Sequence, residues 1–127
     1  MKAALSISLA LILPLVACDD TQDEAADRAH LDTMKDEILA FVADPVCTDS
    51  LACRFVGLGR KPCGGPWQYI VYSVASVDSA ELADKVARYN DFNAELNRRY
   101  GWVSDCSVPT PPTVGCENGR CVDLNPQ

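Results

Sequence analysis

Cysteine supplies most of the chemistry open to this chain, which has seven cysteines and one histidine. An odd count leaves at least one cysteine outside any intramolecular pairing. Cys18 stands apart, between Leu15-Val16-Ala17 and Asp19-Asp20, while Cys47, Cys53, Cys63, Cys106, Cys116 and Cys121 form an even set. Zinc would want closely paired ligands of the C-x2-4-C kind, with a second such pair or two histidines. The intervals here are 5, 9, 42, 9 and 4 residues, and His30 lies far upstream. Six cysteines in a short exported chain therefore read as a disulfide framework, with no metal and no cofactor expected. Their connectivity is open.

Other chemistries find weaker footing. A Ser–His–Asp or Cys–His site needs a base within hydrogen-bond reach of its nucleophile, and His30 sits alone near the N-terminal region. A dithiol enzyme would use C-x-x-C, but Cys63-Gly64-Gly65-Pro66 has proline where the second cysteine belongs. Paired carboxylates can hydrolyse glycans. Asp78, Glu81, Asp84, Asp91 and Glu95, however, all fit the solvated face of a helix, and no pair stands out. No glycine-rich phosphate loop precedes a helix in the required context.

Cys18 follows a positive Lys2 and an apolar run from Ala3 to Leu13. That run is too short to cross a hydrocarbon core of about 30 Å and has the length of a secretory signal. Leu15-Val16-Ala17-Cys18 resembles the lipobox of bacterial lipoprotein precursors. The resemblance implies cleavage before Cys18, a diacylglycerol on its thiol and an acyl chain such as palmitate on its new amine. More than one chain is also what stable anchoring requires. The alternative is an ordinary signal peptide with a chance cysteine. Asp19 and Asp20 resemble the enterobacterial signal that retains lipoproteins at the inner membrane, which would place the domain in the periplasm.

The 110 residues after position 17 suffice for one domain. From Asp19 to Asp44 nine acids face Arg28 and Lys35, whereas from Pro45 onward nine acids face eight bases. The acidic bias thus belongs to residues 18–27, read as a solvated, lipid-proximal tether, with residues 28–127 as a single domain. Compartment and charge both disfavour nucleic acid as a partner.

The elements that must position the remaining side chains follow from periodicity. Leu31, Met34, Ile38, Phe41 and Val42 recur at helical spacing and stop before Asp44-Pro45. Cys53–Leu58 and Trp67–Val74 read as strands, the second apolar on both faces and so expected to be central. Asp78 with Glu81 three residues later marks a helix start, and Leu82, Val86, Tyr89, Phe92, Leu96 and Tyr100 carry one stripe to a Gly101 stop. Trp102–Val108 reads as a further strand, and Pro109–Thr113 as a stiff loop. Val114–Val122 forms a hairpin on Asn118-Gly119, with Cys116 and Cys121 opposed; they could bond to each other or to separate partners. The fold class is α+β: a small, mostly antiparallel sheet packed on one long helix, disulfide-stapled, with an N-terminal helix.

Gly59-Arg60-Lys61-Pro62-Cys63-Gly64-Gly65-Pro66-Trp67 with Tyr69-Ile70-Val71-Tyr72-Ser73, then Tyr89-Asn90, Ser104-Asp105-Cys106 and Gly119-Arg120-Cys121, resembles a family of small secreted bacterial proteins and lipoproteins. These share a KPCGGP…Y..YS block and a late SDC…C tail. The likeness covers residues 47 to 122 and implies export and domain limits, without a mechanism. Within it, Arg60, Lys61, Gly64, Gly65 and Trp67 form the candidate binding loop: two cations, backbone N–H groups freed by glycine, and an aromatic anchor. The bland alternative is a strand connection with a core tryptophan. Two functions are weighed. One is a non-catalytic module anchored at the membrane that binds an envelope protein or glycan, the class to which inhibitors of foreign hydrolases belong. The other is a small envelope hydrolase using carboxylates.

Overall fold

The structure, a computed structural model, describes residues 20–126. The signal peptide, the lipobox and Cys18 lie outside the described residues. The architecture is α+β, with the chain running α1 (Asp20–Phe41), β1 (Cys53–Leu58), β2 (Gln68–Ser73), α2 (Ser79–Tyr100), β3 (Val114–Glu117) and β4 (Arg120–Asp123). Among these elements no helix is long and apolar enough to cross a membrane.

α2 forms as its sequence dictates. The Asp78 carboxylate accepts from the backbone N–H groups of Ala80 and Glu81 at 2.8 and 3.0 Å. Gly101 closes the helix in the left-handed region at φ 62°, where a side chain would be strained. Glu81–Lys85, Asp84–Arg88 and Glu95–Arg99 pair along its outer surface, each contributing roughly 0.2–0.5 kcal/mol. Its inner stripe of Leu82, Val86, Tyr89 and Leu96 joins Leu31 and Ile38 of α1, Val42 just beyond it, and Leu58 and Ile70 of the strands in the main core.

α1 begins ahead of its apolar stripe, and this changes the reading of residues 23–27. A solvated tether was expected there, but these residues are helical and tied to the far end of α2. Asp27 Oδ2 accepts from Arg99 and from the Tyr100 hydroxyl at 2.7 and 2.8 Å, and Glu24 Oε1 accepts from the Trp102 indole at 2.7 Å. The two helices therefore lie antiparallel. Burial raises the Tyr100 phenol, and its hydrogen bond to Asp27 raises it further.

The expected single sheet is instead two antiparallel hairpins, β1–β2 and β3–β4. β1 pairs with β2 from Cys53↔Ser73 to Leu58↔Gln68. Val56, Leu58 and Ile70 on one face meet the helices, while Cys53, Phe55, Tyr69 and Val71 on the other turn toward the second hairpin and solvent. β2 is thus not a central strand; its second apolar face is covered partly by cystine. Trp102–Val108 is not a strand either. It runs without ladder partners, held by side-chain bonds described below.

Asn118 and Gly119 adopt φ 50° and 76°, the turn expected of that dipeptide, and Cys116 opposes Cys121. They do not bond to each other. Cys116 joins Cys47, and Cys121 joins Cys53, while Cys63 joins Cys106. The segment before Cys47 also pairs with the hairpin edge: Cys121 N–H donates to Pro45 O at 2.8 Å, and Cys47 N–H to Gly119 O at 2.9 Å. Cys116 is thus bridged to the segment that precedes β1, and Cys121 to the first residue of β1. Peptide mapping without reduction is expected to yield Cys47–Cys116 and Cys53–Cys121, and replacing Cys53 and Cys121 together by alanine to cost about 2–5 kcal/mol in urea unfolding. A Cys116–Cys121 peptide would contradict this hairpin geometry.

Candidate functional site

The loop from Gly59 to Trp67 leaves β1, crosses the end of α2 and returns into β2. Trp67 N–H donates to Leu58 O at 3.0 Å and closes its base. Gly59 sits at φ 85°, and a Cβ there would come within 2.4 Å of Trp67 Cδ1. Only glycine fits where the indole lies over the backbone.

Beyond Leu58 the backbone has no strand to pair with, and α2 supplies partners instead. Asn90 Oδ1 accepts from Gly59 N–H at 2.7 Å. Asn93 Oδ1 accepts from Arg60 N–H at 2.8 Å and from the Trp67 indole at 3.2 Å. Asn97 Nδ2 donates to Arg60 O at 2.6 Å. Spacings of three and four set these amides on one side of the helix. Sequence reasoning gave them no role, Asn90 entering only through the family resemblance. A signal existed, because three asparagines at helical spacing inside a helix are poor helix formers and need another use.

Lys61 departs most from expectation. It is not an available cation: the residue is 6% exposed. Its Nζ donates to Ser107 O at 2.6 Å, Ser107 Oγ at 3.1 Å and Asp105 Oδ1 at 3.1 Å, and lies 4.9 Å from the Trp67 ring centre. The Cys63–Cys106 bridge ties the same two segments together. Ser107 donates back to Asp105 at 2.8 Å. That bond, and next the Lys61 ammonium, hold the Asp105 carboxyl below its ordinary value of 3.8.

Gly64 and Gly65, at φ 95° and 81°, fold the loop onto itself. Gly64 N–H donates to Lys61 O, and Gly65 O accepts from Lys61 N–H, both at 2.9 Å. The Gly64 N–H is therefore spent inside the loop rather than offered to a ligand. Arg60 and Trp67 remain at the surface, the tryptophan 42% exposed and the Arg60 side chain 57%. Of the five candidate residues, three build the loop and two face outward.

Clefts flank it. One of about 280 Å³ is lined by Arg60, Pro62, Ala94, Asn97 and Arg98. Another of about 330 Å³ lies against Trp67, Tyr69 and Val71, opposite Pro109 and Pro112. A third of about 450 Å³ is bounded by Arg28, Trp67, Trp102 and Val103.

The groups weighed for catalysis sit elsewhere. His30 meets the edge of Phe92 at 5.3 Å between the helices. Asp78 caps α2, Glu81, Asp84 and Glu95 form its helical pairs, and Asp91 approaches Arg60 at 3.8 Å. Among the described residues the carboxyls that depart from their ordinary values are Glu24 and Asp105, both downward, Glu24 through the Trp102 indole first and then Arg28. The sulfurs of Cys47, Cys53 and Cys121 lie within 4.8 Å of one another, but each belongs to a disulfide and offers no thiolate. The chain matches no protein-family model, no curated protein and no solved structure.

Arg60 and Lys61 should separate sharply in unfolding experiments. Arg60→Ala is expected to change stability by less than about 0.5 kcal/mol. Lys61→Met removes the hydrogen bonds of a buried ammonium, and is expected to cost about 1–3 kcal/mol. Because the Asp105 value is lowered in the folded state, its contribution is present above 3.8 and lost as pH falls through the folded value. Lys61→Met should therefore move the Asp105 midpoint upward by NMR and flatten the acid limb of stability. An unshifted midpoint would contradict the pairing.

Proposed function

We propose that this chain is a lipid-anchored protein of the bacterial envelope, acting as a non-catalytic binding module of inhibitor-like kind. In this reading Cys18 carries the lipid, the inner membrane holds it, and the domain faces the periplasm toward an envelope protein or glycan. The lipobox resemblance supports the anchor, and an oxidising compartment suits three disulfides.

The observation that carries the binding role is the loop's rigidity. Its backbone is bonded to three asparagines, its lysine is buried in a hydrogen-bonded socket, and a disulfide crosses its middle. Such a loop presents Arg60 and Trp67 with little ordering left to do on binding, and lost freedom is a principal cost of association. Arginine and tryptophan are also the residues that most often dominate contact energies. A general acid would need a carboxyl raised toward neutrality, and the shifted carboxyls move the other way.

Photo-cross-linking in intact cells tests this reading. A photoreactive residue in place of Arg60 is expected to give a discrete adduct, while one in place of Asp84 on the outer face of α2 gives none. Intact mass of the purified protein should show acylated Cys18 at its N-terminus. The same adducts from both positions, or none, would overturn the binding role, and an unmodified N-terminus at another residue would overturn the anchor.

A further inference from the structure

We infer that the cleft between the Arg60–Pro62 stretch and the last turns of α2 is a subsite for an oxyanion that carries a hydroxyl beside it, such as an acidic sugar residue or a phosphoglycerol headgroup. This subsite rests on the binding-module reading and names what the module's loop takes.

Unspent arginine charge gathers at this cleft. Formal net charge is −7, and most arginines are consumed. Arg28, Arg88, Arg99 and Arg120 pair with Glu24, Asp84, Asp27 and Asp44 at 2.6–2.7 Å, and Arg54 donates to the carbonyls of Leu51 and Cys53 at 2.7 Å. Arg98 has no acidic partner among the described residues, and Arg60 has only Asp91 at 3.8 Å. These two arginines line the same cleft. A planar guanidinium with parallel donors matches a carboxylate or phosphate better than any other side chain. Asp91 competes for Arg60 but leaves Arg98 untouched.

Independently of charge, a residue of the cleft wall carries a buried acceptor without a donor. Asn97 lines it and is 8% exposed. Its Nδ2 is used on Arg60 O, but its buried Oδ1 has no donor among the described residues. A buried acceptor left unmade costs about 1–3 kcal/mol, and native structures rarely leave one so without cause. The Oδ1 is closed off as the side chain stands, so a hydroxyl next to an anion held by the arginines would satisfy it once the Asn97 amide turns toward the cleft. Pro62 and Ala94 complete the walls with apolar surface, suited to the C–H face of a sugar ring or a glycerol chain. A space of about 280 Å³ takes one such unit. Lys61 touches the cleft, but its ammonium is already committed to Asp105 and Ser107.

Titration calorimetry on the mature, lipid-bearing protein in detergent tests the assignment at low salt. The probes are glucuronate and glycerol 3-phosphate, with glucose, glycerol and inorganic phosphate as controls. One of the two acids is expected to bind with Kd below about 10 mM, with glucose and glycerol silent and inorganic phosphate weaker. Arg98→Ala should weaken it about tenfold or more, the scale of one charge-assisted hydrogen bond, at unchanged Tm. Tighter glucuronate points to an envelope glycan as the source, and tighter glycerol 3-phosphate to a lipid headgroup. Binding of neither acid, or an Arg98→Ala variant that binds as well, overturns the site. Inorganic phosphate as tight as either acid overturns the hydroxyl contact at Asn97. If the acids fail while the Arg60 cross-link persists, this subsite falls and the binding module stands.

Discussion

A backbone that leaves a two-stranded ladder must find hydrogen-bond partners, and in this protein three asparagine side chains provide them. Asn90, Asn93 and Asn97 take up Gly59 N–H, Arg60 N–H and Arg60 C=O along one side of α2. With that seam made, Lys61 is directed into its socket and Cys63 is carried to Cys106. The exposed indole of Trp67 is fixed to the same Asn93. Each later contact presupposes the seam. Without it the loop's polar groups would turn to water, and Arg60 would no longer share a cleft with Arg98.

Cystine does for the other half of the molecule what asparagine does for this loop. Two-stranded hairpins are marginal on their own in water, and this fold contains two. One bridge ties the hairpins together and another ties the segment before β1 to β3, closing separations of 68 and 69 residues around a small cluster of Cys47, Cys53 and Cys121 with Val71 and Val114. The helix-side core is larger, but it gathers only one face of β1–β2. Small exported domains commonly compensate for a limited core in this way. The result is a body with apolar packing on one side, disulfides on the other, and the asparagine seam along its edge.

The sequence makes some of this plain and conceals the rest for physical reasons. α2 is legible because an aspartate cap, a regular stripe and a terminal glycine all point to one element. The β3–β4 turn is legible because few dipeptides adopt two successive positive φ values as readily as Asn118-Gly119. The division into two hairpins is not, because apolar residues on both faces of β2 look the same whether a sheet or a cystine pair covers them. Trp102–Val108 has strand-like composition, but its backbone is fixed by a lysine and a disulfide from far along the chain. Lys61 itself shows the limit most clearly. Its charge suggests solvent, and only the three-dimensional meeting of Asp105, Ser107 and Trp67 buries it.

Hydrogen exchange at the Gly59 and Arg60 amides tests the seam most directly. Both donate to side-chain oxygens rather than to a strand, so a solvated loop and an asparagine-bonded loop would exchange at different rates. The seam predicts protection comparable to that of β1. It also predicts that Asn93→Ala abolishes protection at Arg60 while the amides in the middle of α2 stay protected. Exchange of Gly59 and Arg60 as fast as that of exposed Val103 in the unaltered protein would contradict it.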